Sequence, residues 1–183
     1  MLTYNDEVKI NELVDNLLVY INERFRIIED DDFDDLTLAG DLAREEGLDE
    51  ILHMLWENTS IIDEYVNSNP FHLNKSDLEI VSTWKDAYPT GAYCFDVQDG
   101  KALVLAGDRV LAVESPHALE MKGKVMSATF LPYKEFIIED SYTAFIPSEF
   151  GEGLKKEFEK WIDKAMELGV ISTSSEFVDY ARA

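Results

Sequence analysis

The spacing of apolar residues changes near residue 90, and this change constrains the fold more than any other feature of the chain. Before it, apolar residues recur every three or four positions, which is typical of amphipathic helices. After it, apolar and polar residues alternate, as in half-buried strands. We therefore predict an α+β protein with N-terminal helices, an antiparallel β-meander or small curled barrel, and a C-terminal helix packed on the sheet. The predicted parts are an acidic helical region over 1–90 and the sheet with its helix over 91–183, joined in one compact unit.

The helical half contains four predicted helices. Apolar stripes or capping signals place them at 10–25, at 36–46 with Gly47 at its end, from 48 to just before Asn69-Pro70, and from a capping box at Ser76–Glu79 to near Pro89.

Turn residues divide the second half into strands. Asp99-Gly100 is a strong hairpin signal, because both positions tolerate positive φ. The predicted strands cover 93–97, 101–106, 110–113, 125–131, 136–139 and 142–146. Glycines at 151 and 153 break the pattern before a predicted helix from Leu154 to Leu168, which is capped by Gly169 and followed by a short helix from Ser174. Trp161 is predicted to be buried in the apolar stripe of the 154–168 helix.

Charge sets limits on the partner. The chain has 183 residues, with 16 Lys+Arg against 38 Asp+Glu and a formal net charge of −22. Nucleic acids and anionic lipids attract basic surfaces, so neither is an expected partner. The N-terminus lacks the pattern of a signal peptide and no apolar run reaches membrane-spanning length, which predicts a cytoplasmic protein.

No motif for catalysis or cofactor binding is present. The sequence has no glycine-rich phosphate loop, no H-E-x-x-H, no C-x-x-C and no G-x-S-x-G. Cys94, the single cysteine, lies in an apolar strand, where a buried small hydrophobe is the usual interpretation. A nucleophilic thiol there needs a base such as His72 or His117. We therefore assign no catalytic residue and no cofactor.

Two groups of acidic residues are weighed as metal sites. The run from Glu29 to Asp35 lacks the glycine and glutamate that a calcium loop needs at its sixth and twelfth positions. Asp49, His53 and Glu57 share one helical face, but no ligand from another element is identifiable. We predict a solvated connection and an exposed polar face, with no tight metal site at either.

One segment resembles a known family. Asn69-Pro70-Phe71 and Leu73, followed by Asp77–Val81 and Trp84, resemble an N-P-x-x-L…L-E-I-V-x-x-W segment of an uncharacterised bacterial family that pairs N-terminal helices with a small β-domain. Leu131-Pro132-Tyr133 and Phe136–Asp140 resemble its later strands. The resemblance covers roughly 69–160, supports the fold and implies no catalytic residue.

These observations favour a non-catalytic protein-interaction module that binds a basic partner. Two versions stay open: an immunity-like protein that covers a basic nuclease site, and a nucleic-acid mimic. Acidity that serves only solubility, and a small enzyme whose dispersed site lies between the helices and the sheet, are the alternatives. The predicted contact residues are the most concentrated acids, namely Asp31, Asp32, Asp34, Asp35, Glu45 and Glu46.

Overall fold

The computed structural model describes residues 2–28, 46–107, 109–140 and 142–167. The helices there are α1 (Tyr4–Phe25), α2 (Glu46–Glu57), α3 (Ser60–Ser68), α4 (Lys75–Thr83), a 3₁₀ turn (Trp84–Asp86), α5 (Ala118–Met121) and α6 (Ser148–Glu167). The strands are β1 (Tyr88–Gln98), β2 (Lys101–Ala106), β3 (Arg109–Glu114), β4 (Val125–Tyr133), β5 (Phe136–Glu139) and β6 (Ala144–Phe145). The predicted α+β class is confirmed. The helices predicted at 36–46 and from Ser174 lie outside the described residues, except that Glu46 begins α2.

The single helix predicted from residue 48 is two helices. Local hydrogen bonds explain the division at Asn58 and Thr59. The Ser60 hydroxyl donates to the Asn58 side chain at 2.6 Å. The backbone N–H of Ile62 donates to the Thr59 carbonyl at 3.0 Å. Such short polar side chains offer the backbone an alternative to continuing the helix.

The N-cap of α4 lies two residues earlier than predicted. Asn74, not Ser76, is the N-cap, and its side-chain oxygen accepts from the Asp77 backbone N–H at 3.0 Å. The Asn74 amide also donates to the Asp77 carboxylate at 2.9 Å. The prediction was wrong because Asn and Ser are both strong N-caps and sequence alone did not rank them.

The helices share a core with one part of the sheet. The apolar stripes of α1, α2 and α3 pack together, and side chains of β4 and β5 complete the cluster. The Trp84 indole N–H donates to the Pro132 carbonyl at 3.0 Å. The sheet members of this core are Leu131, Tyr133 and Ile138.

The six strands form one mixed sheet in the order β1-β2-β3-β5-β4-β6, and β1 also pairs with β4. The Asp99-Gly100 hairpin is confirmed, with φ of 49° and 78° at its two turn residues. All neighbours are antiparallel except β3 and β5, which pair in parallel through one bridge, Val113 to Ile137. That parallel pair departs from the predicted meander. The sheet curls back on itself without becoming a clean barrel, because this single bridge closes it.

The curled sheet has an inner and an outer face. Alternate residues of the strands point inward and form a second core, which is rich in alanine. Ala118 and Met121 of α5 join this core. Helix α5 lies between β3 and β4 in the chain, and β5 lies between these two strands in the sheet.

Helix α6 packs on the outer face of the sheet, as predicted, but two details differ. It begins at Ser148, so the glycines at 151 and 153 lie inside the helix and do not break it. Gly151 is buried, and a Cβ there would lie 3.4 Å from the Ile146 side chain. The prediction for Trp161 was wrong: Ile162 and Ala165 face the sheet, whereas the Trp161 side chain stays 42% exposed.

Candidate functional site

The parallel pairing of β3 and β5 brings the carboxyl ends of both strands to the same edge of the sheet. Each end carries two polar residues: Glu114 ends β3 and Ser115 follows it, and Glu139 ends β5 and Asp140 follows it. The first turns of α1 and the short helix α5 pack around this edge. Together they enclose a cavity of about 350 Å³, which we call the acidic cavity. Its acidic lining residues are Glu7, Glu114, Glu120, Glu139 and Asp140.

Ser115 orients the centre of the acidic cavity. Its hydroxyl donates to Glu139 Oε1 at 2.5 Å and accepts from the His117 backbone N–H at 3.0 Å. The contact joins the ends of β3 and β5 directly. Burial raises the pKa of Glu139, and the nearby charge of Glu7 raises it further.

Asp140 is the most buried carboxyl group of the cavity. The residue is only 3% exposed. Burial raises the pKa of its carboxyl to about 7, although hydrogen bonds from Thr129 and from the Tyr142 backbone act to lower it. One carboxyl oxygen, Oδ1, has no hydrogen-bond partner among the described residues, and the same is true of Glu139 Oε2. Unpaired buried oxygens are costly and call for an explanation.

Positive charge is scarce around the cavity. Lys101 Nζ lies 3.3 Å from Glu114 Oε2. Burial disfavours the charge of Glu114, but cationic groups including Lys101 outweigh it and hold the pKa of Glu114 below its ordinary value. His117 Nδ1 lies 3.7 Å from Glu120 Oε1 at the rim, where both side chains are exposed. Among the described lining residues, acidic side chains therefore outnumber basic ones.

A second cavity, of about 420 Å³, lies between α2 and the sheet and also includes Asp140 in its lining. Asp49, His53 and Glu57 line it, so the structure places the predicted polar face beside the sheet. His53 Nε2 lies 3.2 Å from Glu57 Oε2. Within the described parts of the chain, no group of three or more His, Cys, Asp or Glu side chains is arranged to hold a metal ion.

Cys94 lies in the inner core of the curled sheet and lines neither cavity. Its thiol is fully buried and its Sγ lies 3.4 Å from the Asp96 carbonyl. Burial raises the pKa of this thiol to about 11. His72 and His117 are both exposed, and His117 belongs to the acidic cavity. The geometry thus separates the cysteine from the residues weighed as its base.

The predicted contact residues and the site found here are different sets. Asp31, Asp32, Asp34, Asp35 and Glu45 lie outside the described residues, and of Glu46 only its place at the start of α2 is described. Sequence reasoning missed the acidic cavity because it expected an antiparallel meander. The available signal was a polar pair directly after each of two apolar strands, Val110–Val113 and Phe136–Ile138.

Comparison with known proteins gave no match to a protein-family model, to a curated protein or to a solved structure. The resemblance of the 69–160 segment therefore stays a prediction. None of the described helices is both long and apolar enough to cross a membrane.

Proposed function

We propose that this chain is a cytoplasmic, non-catalytic interaction module that binds a basic protein partner. The observation that carries the proposal is the acidic cavity, in which five carboxylate residues from α1, β3, α5 and the end of β5 converge. A net charge of −22 adds a long-range attraction for cationic surfaces. Complementary potentials of this kind speed the encounter of partners and disfavour wrong ones.

The sheet surface supports a protein partner over a nucleic acid. A nucleic acid needs an open basic surface on its protein partner. Leu103 and Ala112 on the outer face of β2 and β3 pack against Ala165 of α6, so this part of the sheet is covered. The concave acidic cavity also favours the immunity-like version, because a nucleic-acid mimic must present its carboxylates on a protruding surface.

The predicted contact acids Asp31, Asp32, Asp34, Asp35, Glu45 and Glu46 remain part of this proposal. They lie in the 29–50 segment, whose acids add to the attraction of the same partner. We place the cavity at the centre of recognition and this segment in electrostatic steering.

Capture from the native host on immobilised protein, with elution by a salt gradient, tests the proposal. We expect a basic partner whose association rate falls as salt rises. Changing Asp31, Asp32, Asp34 and Asp35 to Asn slows association. The matched control changes four acids of α6, Glu149, Glu152, Glu157 and Asp163, to amides and so removes the same charge elsewhere. An acidic partner, or equal slowing by both variants, contradicts the proposal.

An enzyme with a dispersed site is the second candidate, and Asp140 is the observation that favours it. A carboxyl group with a pKa near 7 beside two cavities has the property of a general acid or base. A panel of chromogenic ester, phosphate and glycoside substrates tests this. Turnover that is lost in Asp140→Asn and kept in Glu149→Gln supports the enzyme and contradicts the interaction module.

A further inference from the structure

The walls of the acidic cavity are of two kinds. Carboxyl groups gather where β3 and β5 end, and apolar side chains line much of the remainder, together with Asn11, His117 and Thr143. The apolar lining residues are Leu2, Ile10, Met121, Ile138 and Phe145. A ligand that satisfies both walls has an aliphatic part and a positively charged end, which describes the side chains of lysine and arginine.

The unpaired oxygens point to the position of the charged end. Both residues line the cavity, and their oxygens Glu139 Oε2 and Asp140 Oδ1 accept no hydrogen bond from the residues that the structure describes. Both oxygens lie just beneath the lining, so a head group reaches them when the carboxyl groups turn toward it. An ammonium or guanidinium group carries several N–H donors and no acceptor, so it can satisfy carboxylate oxygens without leaving a new unpaired group. Since no described cluster is arranged to coordinate a metal, an organic cation suits the site better than a metal ion.

We propose that the acidic cavity binds one lysine or arginine side chain of the partner, with its stem on the apolar wall and its charged head at Glu139 and Asp140. This inference rests on the proposed function, because it names the group of the basic partner that enters the cavity. Glu7 on α1 and Glu120 on α5 complete the negative surroundings of the head group.

Blocked amino acids test the site without the partner. The probes are N-acetyl-L-lysine methylamide and N-acetyl-L-arginine methylamide, and the neutral N-acetyl-L-norleucine methylamide is the control. Amide chemical shifts of labelled protein are followed during titration. We expect saturable shifts at Ser115, His117 and Asp140 with a cationic probe, and none with norleucine. Equal shifts with norleucine, or shifts spread without saturation over the acidic surface, overturn the inference.

Variants locate the charged end. Glu139→Gln weakens binding of the cationic probe at least tenfold, because it removes the carboxylate with the free oxygen. Glu7 lies in the partly exposed first turn of α1. Glu7→Gln weakens binding of the cationic probe less than Glu139→Gln does, and it replaces that variant in the test if Glu139→Gln does not fold. Glu149→Gln on α6 leaves binding unchanged. Unaltered affinity in both folded cavity variants overturns the inference.

The pH dependence of probe binding gives an independent readout. Charged and titratable groups surround Asp140 on every side of both cavities. They are Glu7 and Asp15 on α1, Asp49, His53 and Glu57 on α2, Glu114 on β3 with its partner Lys101 on β2, His117 and Glu120 at α5, Glu139 on β5, and Tyr142, which bonds Asp15. A cation beside Asp140 favours its ionised form, so binding is tighter at pH 8 than at pH 6. Asp140→Asn removes most of this dependence and His117→Gln does not. The reverse result assigns the dependence to His117 and overturns the role of Asp140.

The two proposals can fail separately. If a basic partner binds in a salt-sensitive way but no cationic probe binds in the cavity, the proposed function holds and this inference is wrong. If the cationic probe binds at Glu139 but no basic protein partner is found, the cavity is a site for small amines and the proposed function is wrong.

Discussion

The hydroxyl of Tyr133 donates a 2.7 Å hydrogen bond to Oδ1 of Asp6, which lies 127 residues earlier in the chain. Asp6 also closes the capping box of α1, where its backbone N–H donates to the Thr3 hydroxyl at 3.2 Å. Lys134 Nζ lies 2.6 Å from the same carboxylate oxygen. The Asp6 carboxylate therefore caps the N-terminus of α1 and also bonds it to the turn between β4 and β5.

Tyr133→Phe removes the hydrogen bond and keeps the ring in the core. We expect a loss of about 1.5–3 kcal/mol in the free energy of unfolding, because the acceptor that loses its donor is charged. Urea denaturation measures it. Lys134, Thr3 and Tyr133 hold the pKa of Asp6 well below its usual range. This stabilisation is present above the unfolded pKa of about 4 and is lost as the pH falls below it. Folded Asp6 stays ionised at pH 3 and at pH 7, so the Tyr133→Phe loss should be nearly the same at both, and a loss that has disappeared at pH 3 contradicts this account.

Two adjacent residues of α6 provide a matched test of its orientation. Ile162→Ala is expected to cost about 2–4 kcal/mol, because its side chain is buried against the sheet. Trp161→Ala is expected to cost less than about 1 kcal/mol, because surface substitutions rarely cost more. Denaturation of both variants under the same conditions measures the difference. A larger loss for Trp161 shows that its exposed face is covered in solution.

The thiol of Cys94 is expected to react slowly. Its pKa of about 11 leaves little thiolate at neutral pH, and the inner core of the curled sheet blocks access. Intact-mass measurement during treatment with iodoacetamide at pH 7.5 should show little modification of the native protein and rapid modification in urea. Fast labelling of the native protein at that pH would place the thiol in an open site.

Asp140 is expected to make stability depend on pH. Its pKa is about 7 in the folded protein and 3.8 at its ordinary value, so the folded state binds a proton that the unfolded state releases. Stability therefore falls as the pH rises from about 4 to about 7, by at most about 4 kcal/mol. Asp140→Asn removes this contribution. Its gain in stability over the parent should be larger at pH 8 than at pH 4, and a gain of equal size at both contradicts the assignment.

Local signals predicted the elements well where one pattern dominated. The stripe of α1 and the Asp99-Gly100 hairpin are local features, and both are present. Partner choice between strands is not local. Nothing in the sequence states that β5 pairs with β3, so the meeting of Glu114-Ser115 with Glu139-Asp140 was not predicted.

The sequence also left open which part of an apolar helix face is buried. In α6 the apolar stripe is wider than the surface it packs on, so Leu154 and Trp161 satisfy the helical period and still remain largely exposed. Periodicity shows that a face is apolar. Only the tertiary contacts show which part of that face is buried.

The pairing of β1 with β4 has a consequence for the order of folding. Hairpins β1–β2 and β2–β3 close over a few residues, whereas the β1–β4 ladder joins Tyr88 to Phe130. Contacts between distant residues form late because the chain must first lose the entropy of a long loop. The acidic cavity spans still more of the chain, from Leu2 to Phe145, so it is complete only in the folded molecule. A ligand that recognises it selects the native state and stabilises it by mass action.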